Sequence, residues 1–284
     1  MATFYNNATL SYNGAVTTSN TTVGEIVEAL AATKTALVES YHTGDSVTYI
    51  ISLTNSNTSA ITDLTVTDTL GEYTFGTMTL VPLTYADTSL RYYSNGVLQT
   101  TPTITSTSPL TITGITVPAS GNVQLIYEAT ANRYAAPTAG STITNSATVS
   151  GDTLLSNLSA TETITVQSAP QLTIAKSLSP TTITESGTVT YTFLLQNTGN
   201  TAVVATDTVS FSDTFSPALS GLTASFNGTA WTSGTNYTYD SSTGVFTTTS
   251  GQITIPAATY TQDAATGAWT ATPGISTLII TGTI

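Results

Sequence analysis

The sequence predicts an all-β protein of two tandem β-sandwiches. Three observations carry that reading: a composition of strand formers with little charge, segments in which apolar residues alternate, and an internal repeat. The chain has 284 residues, room for two domains of roughly 100–150 residues. Hydrophobic residues make up 39% and charged residues only 7%. Disorder goes with low hydrophobicity and high charge together, and neither holds here. Thr, Val, Ile and Tyr favour the pleated surface of a strand.

The alternation is clearest in VTYIISL, where Val47, Tyr49, Ile51 and Leu53 share one face. Turn signals follow such segments, at Asn95-Gly96, Asn227-Gly228 and near Pro82, Pro118 and Pro256. Many short strands with frequent turns predict a sandwich. The Ala-rich stretch Glu25–Ala36 is read as extended, because the repeat aligns it with QLTIAKSL.

The repeat is direct. VTYIISLTNSNTSA begins at Val47 and VTYTFLLQNTGNTA at Val189, 142 residues later, and the same spacing relates Lys34 to Lys176 and Asn55 to Asn197. LTVTDTL (64–70) matches VSFSDTF (209–215) after a small insertion. The two copies end differently. Copy 1 continues into STITNSATVSG (141–151), whereas copy 2 stops at STLIITGTI. A match to that closing strand lies at the other end of the chain: TNSATVS (144–150) aligns with YNNATLS (5–11). The expected layout is a donor strand (1–14), a linker and lead-in (15–29), domain 1 (30–151), a linker (152–171), and domain 2 (172–284) lacking its last strand.

A domain without its last strand exposes an apolar groove and a bare sheet edge, which templates pairing with another chain. The segment with Phe4, Asn6, Ala8 and Leu10 on one face has the pattern to fill it. Insertion into a neighbouring copy makes an open head-to-tail filament. Closure within one chain stays open as the alternative, since a linker of about 18 residues spans roughly 60 Å.

Three polar residue types recur on core-facing positions. Lys34 and Lys176 are the chain's two lysines, one per copy, each on the apolar face of a first strand. Asp68 lies with Leu64, Val66 and Leu70, and Asp213 with Val209, Phe211 and Phe215. Asn145 lies with Ile143, Ala147 and Val149, and Asn6 occupies its place in the N-terminal copy. Burial favours a neutral Lys amine and a protonated Asp. Such an amine can attack the Asn carboxamide while the Asp moves protons, releasing ammonia and leaving an amide. The expected bonds are Lys34–Asn145 within the chain, aided by Asp68, and Lys176–Asn6 between chains, aided by Asp213. A buried salt bridge or an edge lysine that blocks aggregation is the plainer reading of each Lys. Glu128 is a rival acid in copy 1.

Other classes find little support. With four basic residues and a net charge of −12, the chain lacks the clustered cations that nucleic acid requires. It has no cysteine, hence no disulfide or thiolate metal site. No cofactor or metal site is expected and no EF-hand pattern appears, with single Ca²⁺ sites at inter-domain loops staying open as the rarer reading. The single histidine, His42, reads as a surface residue in a loop. Trp231, Trp269 and Tyr260 read as packing residues, with a sugar platform as the rarer reading. No apolar run is long enough for a membrane span. The N-terminus has no signal-peptide pattern, so either an export signal has been removed or the protein leaves by another route, such as lysis of a mother cell.

The segments GDSVTYIISLTNSNTSAITDLTVTDTL (44–70) and SGTVTYTFLLQNTGNTAVVATDTVSFSDTF (186–215) resemble the bacterial surface repeat known as domain of unknown function 11. Lys34, Gly44, Val47, Tyr49, Asn55 and Asp68 carry the pattern, as do Lys176, Val189, Tyr191, Asn197 and Asp213, with Ser186 in place of the glycine. The resemblance implies immunoglobulin-like sandwiches on bacterial surfaces, some with isopeptide bonds. Size and repeat number also resemble the small subunits of appendages on spores of anaerobic spore-formers. The function expected is a self-assembling, pilus-like extracellular fibre subunit on a cell or spore surface, with itself as partner and no external substrate. The alternative is a monomeric adhesin.

Overall fold

The computed structural model describes residues 2–26 and 29–284. The described residues are almost all strand, with no α-helix and one short 3-10 turn at Ala205–Asp207. They form two immunoglobulin-like bodies. Body 1 takes residues up to 136 together with 142–165, and body 2 takes 137–141 and 166–284.

Body 1 stacks two sheets. The first runs Val97–Gln99, Arg91–Ser94, Asn122–Ala131, Ser46–Asn55, Leu30–Ala36, all antiparallel. The second runs Thr103–Thr107, Leu110–Val117, Ile61–Asp68, Thr142–Ser150, Leu158–Val166, Ser40–Tyr41. Alternation places Val47, Tyr49, Ile51 and Leu53 in the core opposite Leu64, Val66, Ile143 and Val149, all buried. The repeated Asn is part of the frame. Buried Asn55 donates to the carbonyls of Ser59 and Pro118, each at 2.9 Å, tying two loops together. Asn197 donates in the same way to Thr201 and Pro256 in body 2.

Body 2 repeats the first sheet as Leu172–Ser179, Thr188–Asn197, Gly274–Thr283, Ser220–Phe226, Thr229–Trp231. Its second sheet has three strands, Ser212–Thr214, Val245–Thr248 and Tyr237–Asp240. In body 1, Ile61–Asp68 has Leu110–Val117 on one side and Thr142–Ser150 on the other. Its counterpart in body 2, Ser212–Thr214, pairs with Val245–Thr248, and among the described residues no strand lies on its other edge.

Two segments expected as linkers are strands. Leu158–Val166 pairs along its length with Thr142–Ser150, with Asn145 opposite Glu162. Residues 15–29 carry Ala15–Thr18 and Thr22–Ile26, which fold back on Thr9–Tyr12 and Ala2–Asn6. The N-terminal segment is therefore an antiparallel ribbon. It turns at Asn13-Gly14, where both residues have positive φ, +46° and +85°. Thr and Ser interrupt the apolar residues of these second strands, and such residues read as loop until a partner strand satisfies their backbone.

Candidate crosslinking sites

In body 1 the sheets bring the three predicted residues together. Lys34 Nζ lies 2.6 Å from Asp68 Oδ2, and both side chains are wholly buried. Asn145, also buried, arrives on the closing strand, where Ala147 stands opposite Asp68. Burial pushes the Lys34 ammonium down to about 8, against the opposing attraction of Asp68.

Three groups complete the site that sequence patterning alone did not assign. Tyr127 donates to Asp68 Oδ2 at 2.5 Å and accepts from Asn145 Nδ2 at 3.3 Å. Its phenol is held protonated, well above its ordinary range, first by burial and then by Asp68. The Asn145 carbonyl oxygen accepts from the Gly71 N–H at 3.1 Å, with the Thr69 hydroxyl at 3.5 Å. Gly71 has φ +75° and Ile143 packed against the space a Cβ would need, so the turn that aims this N–H requires glycine. Tyr127 was visible in the alternation Val123, Leu125, Tyr127, Ala129, but its partners come from strands distant in sequence. The rival acid Glu128 is exposed on the opposite face, near the Ser46 hydroxyl at 3.5 Å.

This arrangement suits amide formation. A carboxylate against the amine takes its proton and can return it to the leaving nitrogen. Donors on the carboxamide oxygen polarise the carbonyl and stabilise the charge that develops there. Asp68 and Tyr127 link Lys34 to Asn145 through a chain of hydrogen bonds, and an amine and a carboxamide held at reacting distance gain effective molarities reaching about 10⁵ M.

Body 2 holds the same pair in an open setting. Lys176 Nζ lies 2.5 Å from Asp213 Oδ2, with 43% of the lysine side chain exposed. The rings of Tyr191, Phe193 and Phe215 surround the ammonium at 4.8, 5.3 and 5.4 Å. Ile280 stands opposite Tyr191 where body 1 has Tyr127 opposite Tyr49, so the phenol has no counterpart. The first strand lies bare: Leu172 is 45% exposed where Leu30 is 3%, and Ile174 is 56% exposed. Leu172, Ile174, Val209, Phe211, Ile253 and Ile255 line an apolar cleft of about 170 Å³. Asn6 lies in the exposed N-terminal ribbon opposite Thr22, whose hydroxyl donates to the Asn6 carbonyl at 3.1 Å. Phe4 and Leu10 are also exposed there.

The remaining sequence candidates are framework. His42 is half-buried beside Asp45, 3.2 Å away. Trp231 stacks on Phe226, while Tyr260 and Trp269 belong to a separate two-stranded ribbon.

No family model matches the chain, and no curated relative matches it. Among solved structures it is similar to the major pilin BcpA of Bacillus cereus (12% identity, TM-score 0.35, 96% of this chain and 73% of that one). It is also similar to the pilus backbone RrgB of Streptococcus pneumoniae (11%, 0.32, 86% and 56%). A third is the collagen-binding subdomain of the Enterococcus faecalis surface protein ACE (10%, 0.31, 50% and 99%). At these scores the likeness carries no functional argument, and the reading rests on the residues themselves.

Proposed function

We propose that the chain is the subunit of an extracellular fibre on a bacterial cell or spore surface. Each copy inserts its N-terminal residues into body 2 of the next, and Lys–Asn isopeptide bonds form within and between copies. The observation that carries this is the contrast between two equivalent sites. In body 1, Lys34 and Asp68 are sealed under a closing strand that delivers Asn145. In body 2, Lys176 and Asp213 lie open beside an unpaired strand edge and an apolar cleft. The sequence carries a second copy of that closing strand at residues 5–11.

The chemistry balances. The neutral amine of Lys attacks Cγ of Asn, the C–N bond to the carboxamide nitrogen breaks, and ammonia leaves with protons passed through the Asp. The reaction runs once per site, so the protein is a self-maturing structural component with no external substrate.

Boiling assembled material in SDS tests the proposal. The expected result is a ladder of subunit multiples, and Lys176→Ala reduces it to monomer while leaving non-covalent filaments. Monomer alone from wild-type filaments would overturn the covalent link. Filaments of normal length from a chain lacking residues 1–12 would overturn the exchange. A monomer that saturably binds a host protein or glycan would support the adhesin reading instead.

A further inference from the structure

We propose that the inserted element is a two-stranded hairpin, residues 2–26, seated in body 2 as Thr142–Ser150 and Leu158–Val166 are seated in body 1. This rests on the exchange reading above and specifies its partner surface. Three independent correspondences carry it.

The first is register. In body 1 the closing strand has Asn145 opposite Glu162 and Ile143 opposite Ile164. In the ribbon, the matching Asn6 stands opposite Thr22 and Phe4 opposite Gly24. Each Asn-bearing strand thus already has an antiparallel partner, which in body 1 lies on the edge away from the Asp68 strand. By the same register, Ala8 falls opposite Asp213 and Leu10 opposite Phe211, as Ala147 and Val149 fall opposite Asp68 and Val66.

The second is the inward face. Ile143 and Ile164 are buried together in body 1. At the matching positions the ribbon carries Phe4 and Gly24, and the Phe4 ring covers the place where a Cβ on residue 24 would lie. One aromatic ring spans both sites, and a bare glycine is what lets it do so.

The third is the connection from each hairpin into the next sandwich. Residues 167–171 lead into Leu172–Ser179, and Ala29 leads into Leu30–Ala36. Both lead-ins are pinned alike: the Ala29 carbonyl accepts from Ser56 N–H at 2.9 Å, and the Gln171 carbonyl from Thr198 N–H at 2.9 Å. In chain order, then, a strand pair precedes each first strand, at 2–26 and at 142–166. A lone inserted strand would leave its own outer edge bare, whereas a hairpin arrives with that edge already paired.

A locked hairpin tests this. Tyr5 and Val23 stand directly opposite each other, at a separation a disulfide can bridge, and the chain has no other cysteine. The Tyr5→Cys, Val23→Cys variant, oxidised as monomer, is expected to assemble and give the same SDS-resistant ladder as its reduced form. A variant that assembles only after reduction would overturn the hairpin while leaving strand exchange standing. A wild-type chain that stays monomeric would overturn both. Gly24→Glu gives a second reading. It is expected to cut assembly at least tenfold with unchanged thermal unfolding of the monomer, whereas normal assembly would show that residue 24 is only linker.

Discussion

At the scale of single residues, a buried lysine needs either a charge partner or a chemical fate. Asp68 supplies the first, 2.6 Å away, and on the proposed chemistry Asn145 supplies the second. If the bond forms, wild-type monomer has a mass lower than its sequence mass by one ammonia, about 17 Da for loss of NH₃ in nucleophilic attack on a carboxamide. Lys34→Ala and Asn145→Ala each abolish the deficit, which intact-mass spectrometry reads directly. Tyr127→Phe keeps the packing but removes a donor to Asp68, so the deficit is expected to develop more slowly in freshly made protein.

The Asn145→Ala variant also makes the Lys34 charge visible as a pH effect. The folded state holds Lys34 near 8 against an ordinary 10.5. Between those values the unfolded chain binds the proton more, so stability rises with pH, and below about 8 the destabilisation is fully present. The gain from pH 8 to 9.5 is about 2 kcal/mol. Above pH 10 buried tyrosines act the other way, Tyr41 being pushed up to about 12 by burial. Denaturant midpoints across this range are expected to pass through a maximum near pH 9–10. At this scale Lys34, Asp68 and Asn145 were legible because strand alternation alone puts them on core faces. Tyr127, Thr69 and Gly71 were not, because sheet pairing between distant segments is what aims them.

At the scale of elements, the first strand of body 2 shows what the closing hairpin does for body 1. Without a cover, Leu172 and Ile174 stay wet; with one, Leu30 is dry. Leu10 is 70% exposed in the free chain, so Leu10→Asp is expected to change monomer stability by less than about 0.5 kcal/mol. The same change places a charge opposite Phe211 after insertion and is expected to stop assembly. Sedimentation of the variant beside wild type checks both. The tandem sandwiches and the closing strand of body 1 were legible from repeats and period-2 patterning. The second strand of each hairpin was not, since AVTT, TVGEI and LSATETITV have too few apolar residues to stand out. The Asn13-Gly14 dipeptide was the signal that marked the first of them.

At the scale of the whole molecule, the chain carries net charge −12, and assembly as proposed brings copies of that charge together. Like-charged bodies repel over a Debye length of about 8–10 Å at 0.1–0.15 M salt, so the assembly rate is expected to rise with ionic strength. Light scattering at 20 and 300 mM NaCl checks this, and a rate that falls with salt would point to attraction between opposite charges instead. Completion of body 2 by a copy of the element that completes body 1 would make every sandwich along the fibre equivalent. The most direct test is tandem mass spectrometry of a digest of the SDS-resistant ladder. A peptide containing Lys176 joined through its side chain to one containing Asn6 is expected. Recovery of Lys176 with a free amine from ladder-sized material, or joined to any other residue, would contradict it.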